Sequence, residues 1–148
     1  MIPNQILKYL ITSRIKDAAT LLNNQRYPAA MYMAGYAVEI ALKSRICRSL
    51  QFNQGFPGSK QELNAYLTGI NRVIPQPLTI NLGDIRNHDL HKLLFYSGEE
   101  TTIKNNFFRE WVIVAQWTPE DRYKKIRIIK YNAETFLKST RKIIKEIS

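Results

Sequence analysis

The chain has 148 residues, of which 45% are hydrophobic and 11% aromatic, a composition that excludes an intrinsically disordered protein and allows one folded domain. Its formal net charge of +10 favours a polyanionic partner, either nucleic acid or an acidic protein, although a solvated helix face gives the same charge. The single cysteine, Cys47, excludes an internal disulfide framework and a cysteine-rich metal site, and it favours the cytoplasm. No apolar run approaches the ~20 residues of a membrane span, and the N-terminus lacks the features of a signal peptide, so no membrane association is expected.

The first two predicted helices differ in character. Residues 4–23 carry apolar side chains on one face only, which predicts an amphipathic helix. Residues 27–46 are apolar nearly all round and predict a buried central helix. A stripe of small side chains lets a neighbouring helix approach this central helix closely. The stripe consists of Ala30, Ala34, Ala37 and Ala41.

Glu39 is the only charged residue between Ala29 and Leu42 in the central helix. An unpaired carboxylate in apolar surroundings is unfavourable, so we expect Glu39 to be buried or half-buried and hydrogen-bonded. Its predicted partner is Lys43, which follows one helical turn later, or else the segment His88–Asp89.

The middle of the chain, around residues 51–87, is predicted as an irregular insertion in a helical bundle. Glycine and proline are expected to break regular structure at Gly55, Pro57, Gly58, Gly69, Pro75, Pro77 and Gly83. One helix is predicted inside the insertion, because Ser59 and Glu62 have the spacing of a capping box and apolar residues follow at helical spacing.

Three further helices are predicted after the insertion. A short helix spans His88–Tyr96 and begins at Asn87 or Asp84. The next runs from about Thr102 until Pro119 ends it, and its buried face consists of Ile103, Phe107, Trp111 and Val114. The last begins at Pro119 or Tyr123 and ends at Ile147, with a buried row of Ile129, Ala133, Phe136, Thr140, Ile143 and Ile147. The predicted fold class is all-α, an up-and-down four- to five-helix bundle formed by one domain over residues 1–148.

Positive charge is concentrated at the C-terminal end. Residues 121–148 contain nine basic and three acidic residues, so this segment carries +6 of the chain's net +10. The candidate nucleic-acid-binding residues lie on the polar side of the last helix, opposite its apolar row, and are Arg127, Lys130, Lys138, Arg141 and Lys145.

A second candidate site lies where the short helix begins. Arg86, Asn87 and His91 place a fixed cation and a titratable imidazole close together, a combination that suits metal-independent RNA cleavage. Histidine transfers protons near neutral pH, while arginine stabilises charge on the phosphate. The alternative is structural: Asp89 caps the helix, and His88 binds a neighbouring backbone group or Glu39. Two histidines make a weak metal site, so neither a metal nor a cofactor is expected.

Arg122 and Tyr123 form a third candidate site, in a predicted turn after Trp117 and Pro119. Arginine beside an aromatic ring can bind phosphate and stack on a base. In the alternative interpretation, both side chains pack against the bundle.

Four features in chain order resemble the HEPN domain, a helical family of bacteria, archaea and some eukaryotes. They are the central helix with its Glu39-x-x-x-Lys43 ending, the triplet His88-Asp89-Leu90, the pair Arg122-Tyr123 and the long basic C-terminal helix. The resemblance implies a ligand-binding site made of Glu39, Lys43, His88, Asp89, Arg122 and Tyr123. It also implies a homodimer, often encoded beside a minimal nucleotidyltransferase.

Members of that family either bind nucleotides or partners, or cleave RNA through an Arg-x4-6-His motif shared across the dimer. Arg86, Asn87 and His91 fit this motif, although here it precedes the third core helix instead of lying in the last. The first expectation is therefore a dimeric module that binds a nucleotide, RNA or a nucleotidyltransferase partner, in a toxin–antitoxin or phage-defence system. The alternatives are a metal-independent endoribonuclease using Arg86 and His91, and a basic accessory module for nucleic acid.

Overall fold

The computed structural model describes residues 1–70, 79–125 and 127–148, without the side chains of Gly69 and Ile70. Within these residues, the α-helices are α1 (Asn4–Asn23), α2 (Tyr27–Ser49), α3 (Lys60–Ile70), α4 (Leu82–Ile85), α5 (Leu90–Ser97), α6 (Glu100–Asn106), α7 (Phe108–Val114) and α8 (Lys130–Ile147). A 3-10 helix spans Pro119–Tyr123, and strands β1 (Ile2–Pro3) and β2 (Gly55–Phe56) form an antiparallel pair. The predicted all-α fold class is confirmed.

Helix α2 is the centre of the bundle, and α1, α5 and α8 pack against it. The predicted stripe of small side chains is confirmed, because all four of its alanines are buried. Pro28 lies in the first turn of α2, where a backbone N–H would have no partner within the helix, so proline loses no hydrogen bond there. Cys47 is buried near the other end, and burial raises the pKa of its thiol to about 12, so this cysteine is an unreactive core residue.

The described part of the predicted insertion packs on the same core as the bundle, since Leu63, Ile80 and Ile85 are buried in one cluster with α2 residues. The predicted cap is confirmed: the Ser59 hydroxyl accepts a hydrogen bond from the Glu62 N–H at 3.2 Å. Helices α3 and α4 continue through Gly69 and Gly83, so the breaks predicted at these glycines are wrong. Those predicted at Pro75 and Pro77 lie outside the described residues.

Helix α5 begins at Leu90, so the predicted starts at Asn87 and Asp84 are wrong. The physical reason is the Asp89 carboxylate, which accepts hydrogen bonds from the backbone N–H groups of His91 and Lys92 at 3.0 and 3.1 Å. This is the N-cap arrangement, and it leaves His88 outside the helix and available for a distant partner.

The helix predicted from Thr102 to Pro119 is two helices, α6 and α7, which meet at Phe107. The backbone there has a φ of −132°, outside the helical region, and Phe107 is half-buried instead of fully buried. Ile103, Trp111 and Val114 are buried as predicted.

Helix α8 begins at Lys130, so its predicted start at Pro119 or Tyr123 is wrong. The 3-10 helix occupies that region, closed by reciprocal hydrogen bonds between Thr118 and Asp121, and the backbone is extended at Ile129. Ile129 is therefore outside the helical repeat and 57% exposed, which contradicts its predicted burial. The rest of the predicted row is buried, namely Ala133, Phe136, Thr140, Ile143 and Ile147. Every helix in the described residues is too short or too polar to cross a membrane.

Candidate functional site

A cluster of three charged or titratable side chains extends from the central helix α2 to the surface of the bundle. Glu39 in α2 is only 2% exposed, and both of its carboxylate oxygens are paired. Oε1 accepts a hydrogen bond from Lys43 Nζ at 2.6 Å, and Oε2 lies 2.9 Å from His88 Nδ1. The prediction of a buried, bonded Glu39 is confirmed, with both proposed partners in place. We call Glu39, Lys43 and His88 the carboxylate cluster.

The carboxylate cluster fixes the tautomer of His88. A carboxylate only accepts hydrogen bonds, so Nδ1 of His88 carries the proton and Nε2 is left for another partner. The imidazole is about half exposed and lies 6.4 Å, between ring centroids, from Tyr36. Burial, followed by the charge on Glu39, raises the pKa of the Tyr36 hydroxyl, so this phenol is neutral at physiological pH.

The neighbours of His88 make structural contacts. The Asn87 side chain donates to the carbonyls of Gly83 and Asp84 at 2.9 and 2.8 Å, and its oxygen accepts from the N–H of Asp89. The Arg86 guanidinium donates to the carbonyl of Gly58, at the start of the insertion. The structural interpretation of Asp89 as a helix cap is the one that the structure confirms.

The structure brings His91 together with His88, but not with Arg86. His88 and His91 line one cavity of about 310 Å³, and the Arg86 side chain is not among the described residues that line it. The His91 ring is exposed and meets Trp111 edge-on, with 5.5 Å between centroids. We call this the histidine cavity; its other lining residues are Asp89, Leu90, Ala115, Trp117, Thr118, Pro119 and Glu120.

Trp117 is the site residue that the sequence did not single out. Its Nε1 donates to the backbone carbonyl of Tyr32 at 3.1 Å, and its ring packs edge-on against Tyr36 at 5.7 Å. The ring lies so close to Gly35 that a Cβ atom there would be 2.2 Å from two ring carbons. The sequence signal for this contact is Gly35. A glycine inside an apolar helix indicates that a large side chain lies against the helix at that point.

A second cavity is also lined by Trp117 and has a volume of about 210 Å³. Three of its walls are aromatic, from Tyr32, Trp117 and Phe136. We call it the aromatic cavity; its other lining residues are Pro28, Met31, Gln116, Asp121 and Ile128. Trp117 therefore lines two cavities, of which the histidine cavity has two histidines and two carboxylates in its lining and the aromatic cavity has one carboxylate, Asp121.

Arg122 and Tyr123 lie at the end of the 3-10 helix, and both side chains are exposed. The guanidinium carbon of Arg122 is 4.7 Å from the centroid of the Tyr123 ring, a cation–π contact, and Tyr123 is 77% exposed. Interaction with the Tyr32 side chain, followed by that with Tyr123, raises the pKa of Arg122, so it is a permanent cation. The interpretation in which both side chains pack against the bundle is wrong for Tyr123, which is 77% exposed, whereas Arg122 is exposed but contacts the Tyr32 side chain of α2.

Residues 122–131 are rich in cations and aromatic residues, and we call them the basic–aromatic segment; the structure describes all of them except residue 126. It contains five basic residues, no acidic residue and two tyrosines, of which Tyr131 is 70% exposed. Lys124 is paired with Asp121 at 2.8 Å and Lys130 with Glu134 at 3.6 Å. In the part of the chain that the structure describes, no carboxylate lies within ion-pair distance of Arg122, Lys125 or Arg127. Their charges are therefore not offset locally.

The rest of the predicted basic surface is on α8. Lys138, Arg141 and Lys145 are exposed, as is Lys130, whereas Arg127 precedes the helix. Lys142 is paired across the bundle with Glu110 at 2.6 Å, and this contact holds the pKa of Glu110 below its usual range. The exposed α8 cations thus extend the charge of the basic–aromatic segment along the bundle.

No protein-family model, curated protein or solved structure matches the chain. Among residues 1–70, 79–125 and 127–148, no group of three or more histidine, cysteine, aspartate or glutamate side chains is arranged to hold a metal ion. The groups available for binding or catalysis in these residues are the carboxylate cluster, the two cavities and the basic–aromatic segment.

Proposed function

We propose that the chain is a HEPN-like, homodimeric module that binds single-stranded RNA in a toxin–antitoxin or defence system. The observation that carries the RNA proposal is the basic–aromatic segment, in which two exposed tyrosines are interleaved with five exposed cations and no carboxylate. Single-stranded nucleic acid is bound by such surfaces, because cations follow the phosphates while aromatic rings stack on successive bases.

Of the three ligands that the HEPN resemblance implies, RNA is favoured over a nucleotide or a nucleotidyltransferase. The cations of the segment lie along an exposed stretch of chain and continue onto α8, which suits an extended polyanion better than one small ligand. An acidic protein could bind the cations of the segment. RNA can also contact the exposed rings of Tyr123 and Tyr131, because flat bases stack on aromatic rings. Homodimerisation is part of the proposal because Phe108 and Val112, one turn apart on α7, are exposed apolar side chains.

The RNA proposal predicts that charge reversal in the segment weakens binding more than charge reversal elsewhere. The triple variant Arg122→Glu, Lys125→Glu and Arg127→Glu is expected to lower the affinity for a labelled single-stranded RNA by about 10-fold or more, because three phosphate contacts become repulsive. The affinity is measured by fluorescence anisotropy at fixed salt.

A matched control separates a local site from net charge. The variant Lys8→Glu, Lys16→Glu and Lys60→Glu changes the net charge equally at exposed positions on α1 and α3. A much smaller loss of affinity is expected for it. Equal losses in both triple variants would mean that only the overall charge attracts RNA, and would contradict the proposed site.

A second candidate function is metal-independent RNA cleavage, and one observation favours it. His88 and His91 line the same cavity, and Glu39 binds Nδ1 of His88 so that Nε2 is the nitrogen left to exchange a proton. Cleavage of RNA by acid–base catalysis needs two side chains that can exchange protons, one acting as the base and one as the acid.

If the chain cleaves RNA, His88→Ala and His91→Ala are each expected to lower the cleavage rate by about 10²-fold, in the presence of EDTA. The rate is followed with end-labelled RNA on a gel. Arg86→Ala is expected to leave the cleavage rate unchanged, since the Arg86 side chain binds the Gly58 carbonyl of the same subunit and is not among the described residues that line the histidine cavity. Absence of cleavage by the unmodified protein would remove this candidate and leave RNA binding standing.

A further inference from the structure

The aromatic cavity has the size and chemistry of a site for a flat ring. Its lining includes the rings of Tyr32, Trp117 and Phe136 together with aliphatic side chains, so a flat ligand would meet mainly apolar surface there. Its volume of about 210 Å³ corresponds to roughly seven water molecules at the liquid volume of about 30 Å³ each. That is room for a single heterocycle and not for a whole nucleotide.

The tryptophan wall of the aromatic cavity is fixed before any ligand binds. Trp117 is 4% exposed, it donates to the Tyr32 carbonyl, and its ring rests against Gly35. A wall that is already ordered costs little entropy when a ring stacks on it. At the cavity edge, the exposed Gln116 side chain offers both a hydrogen-bond donor and an acceptor, the two groups that the edge of a nucleobase also carries.

The aromatic cavity adjoins the basic–aromatic segment at three points. Asp121 lines the cavity and is followed directly by Arg122. Arg122 itself interacts with Tyr32, one of the aromatic walls, and Ile128 of the segment is another lining residue. A phosphate held by Arg122 therefore lies next to the cavity mouth.

We propose that the aromatic cavity takes one nucleobase of the bound RNA, flipped out of the strand and stacked on the half-buried ring of Tyr32 beside Trp117, while Arg122 holds an adjacent phosphate. This inference rests on the proposed RNA binding and adds a base-specific contact to it. The occupant is a base because the cavity is apolar on its faces, polar at its edge and next to a cation. The histidine cavity is a poorer place for the strand, because two carboxylates line it, Asp89 and Glu120, whereas the one carboxylate of the aromatic cavity, Asp121, is paired with Lys124.

The test compares a complete RNA strand with a series of strands of the same length and charge. Each strand of the series lacks the base at one position, and that position differs from strand to strand. When the missing base is the one that occupies the cavity, the affinity is expected to fall by about 10-fold, because stacking on an aromatic ring contributes a factor of this size. Tyr32→Leu is expected to abolish this position-specific difference, and Tyr32→Phe, which keeps the ring, is expected to preserve it. Tyr9→Leu, at an exposed tyrosine on α1, is the matched control and is expected to behave like the unmodified protein.

Tryptophan fluorescence gives a readout that needs no variant. The chain has two tryptophans, and Trp117 lines the aromatic cavity whereas Trp111 is buried beside His91. The complete strand is expected to quench the emission, and the strand with the abasic position at the sensitive site is expected to quench it much less.

The possible outcomes separate the two proposals. Equal binding of the complete and abasic strands, or a base effect that persists in Tyr32→Leu, would overturn the base site while RNA binding stands. Failure of both strands to bind would overturn the proposed function and the base site with it.

Discussion

Gly35→Ala is expected to lower the free energy of unfolding by about 3 kcal/mol, because the added methyl group collides with the ring of Trp117. The Cβ atom would lie 2.2 Å from Cγ and Cδ1 of Trp117 and 2.5 Å from Cδ2. The ring cannot simply swing away, since its Nε1 is bonded to the Tyr32 carbonyl and the side chain is buried. Denaturant unfolding followed by circular dichroism measures the effect.

Two controls show whether the collision is the cause. Gly83→Ala adds the same methyl group where nothing lies within 4 Å of the new Cβ atom, so its effect is expected to be small. Introducing Gly35→Ala into a Trp117→Leu background is expected to cost much less than in the unmodified protein, because the ring is gone. An equal cost in both backgrounds would contradict the placement of Trp117 on Gly35.

Lys43→Met is expected to lower the free energy of unfolding by about 3 kcal/mol, because it leaves the buried Glu39 carboxylate with only one partner. The Glu39 side chain is 3% exposed, so water cannot replace the lost ammonium group. The same buried charge explains why removal of both groups is milder: Glu39→Leu with Lys43→Met is expected to be more stable than Lys43→Met alone.

Helix α6 provides a matched control for this pair. Glu100 and Lys104 have the same order and the same four-residue spacing, but their side chains are far more exposed, at 36% and 47%. Lys104→Met is therefore expected to cost less than about 0.5 kcal/mol. Similar costs for Lys43→Met and Lys104→Met would contradict the burial of the carboxylate cluster.

The features that could be predicted from sequence are those with a local physical cause. Apolar residues all round α2 and its alanine stripe predict burial, and a lone carboxylate in that setting requires a partner, so the pairing of Glu39 with Lys43 follows from spacing alone. The contact with His88, 49 residues away, could be named only as an alternative to Lys43, because no local spacing encodes it. These predictions are confirmed by the buried alanines and the two hydrogen bonds.

The features that were missed depend on distant or non-helical contacts. The packing of Trp117 on α2 joins residues 85 apart, which no local pattern encodes. Arg86 binds the carbonyl of Gly58 because of how the insertion folds back, so its spacing to His91 did not predict a shared cavity. Ile129 continues the apolar repeat of α8 in the sequence, but its extended backbone places it before the helix.

The most direct test of RNA binding is the salt dependence of the affinity. A plot of the logarithm of the binding constant against the logarithm of salt concentration has a slope of about −0.7 for each phosphate that a protein neutralises on a single strand. Replacing Arg122, Lys125 and Arg127 together by Gln is expected to reduce the magnitude of this slope by about 2, while Lys8, Lys16 and Lys60 replaced by Gln leave it nearly unchanged. A slope that is the same in the unmodified protein and in the segment variant would contradict RNA binding by the basic–aromatic segment.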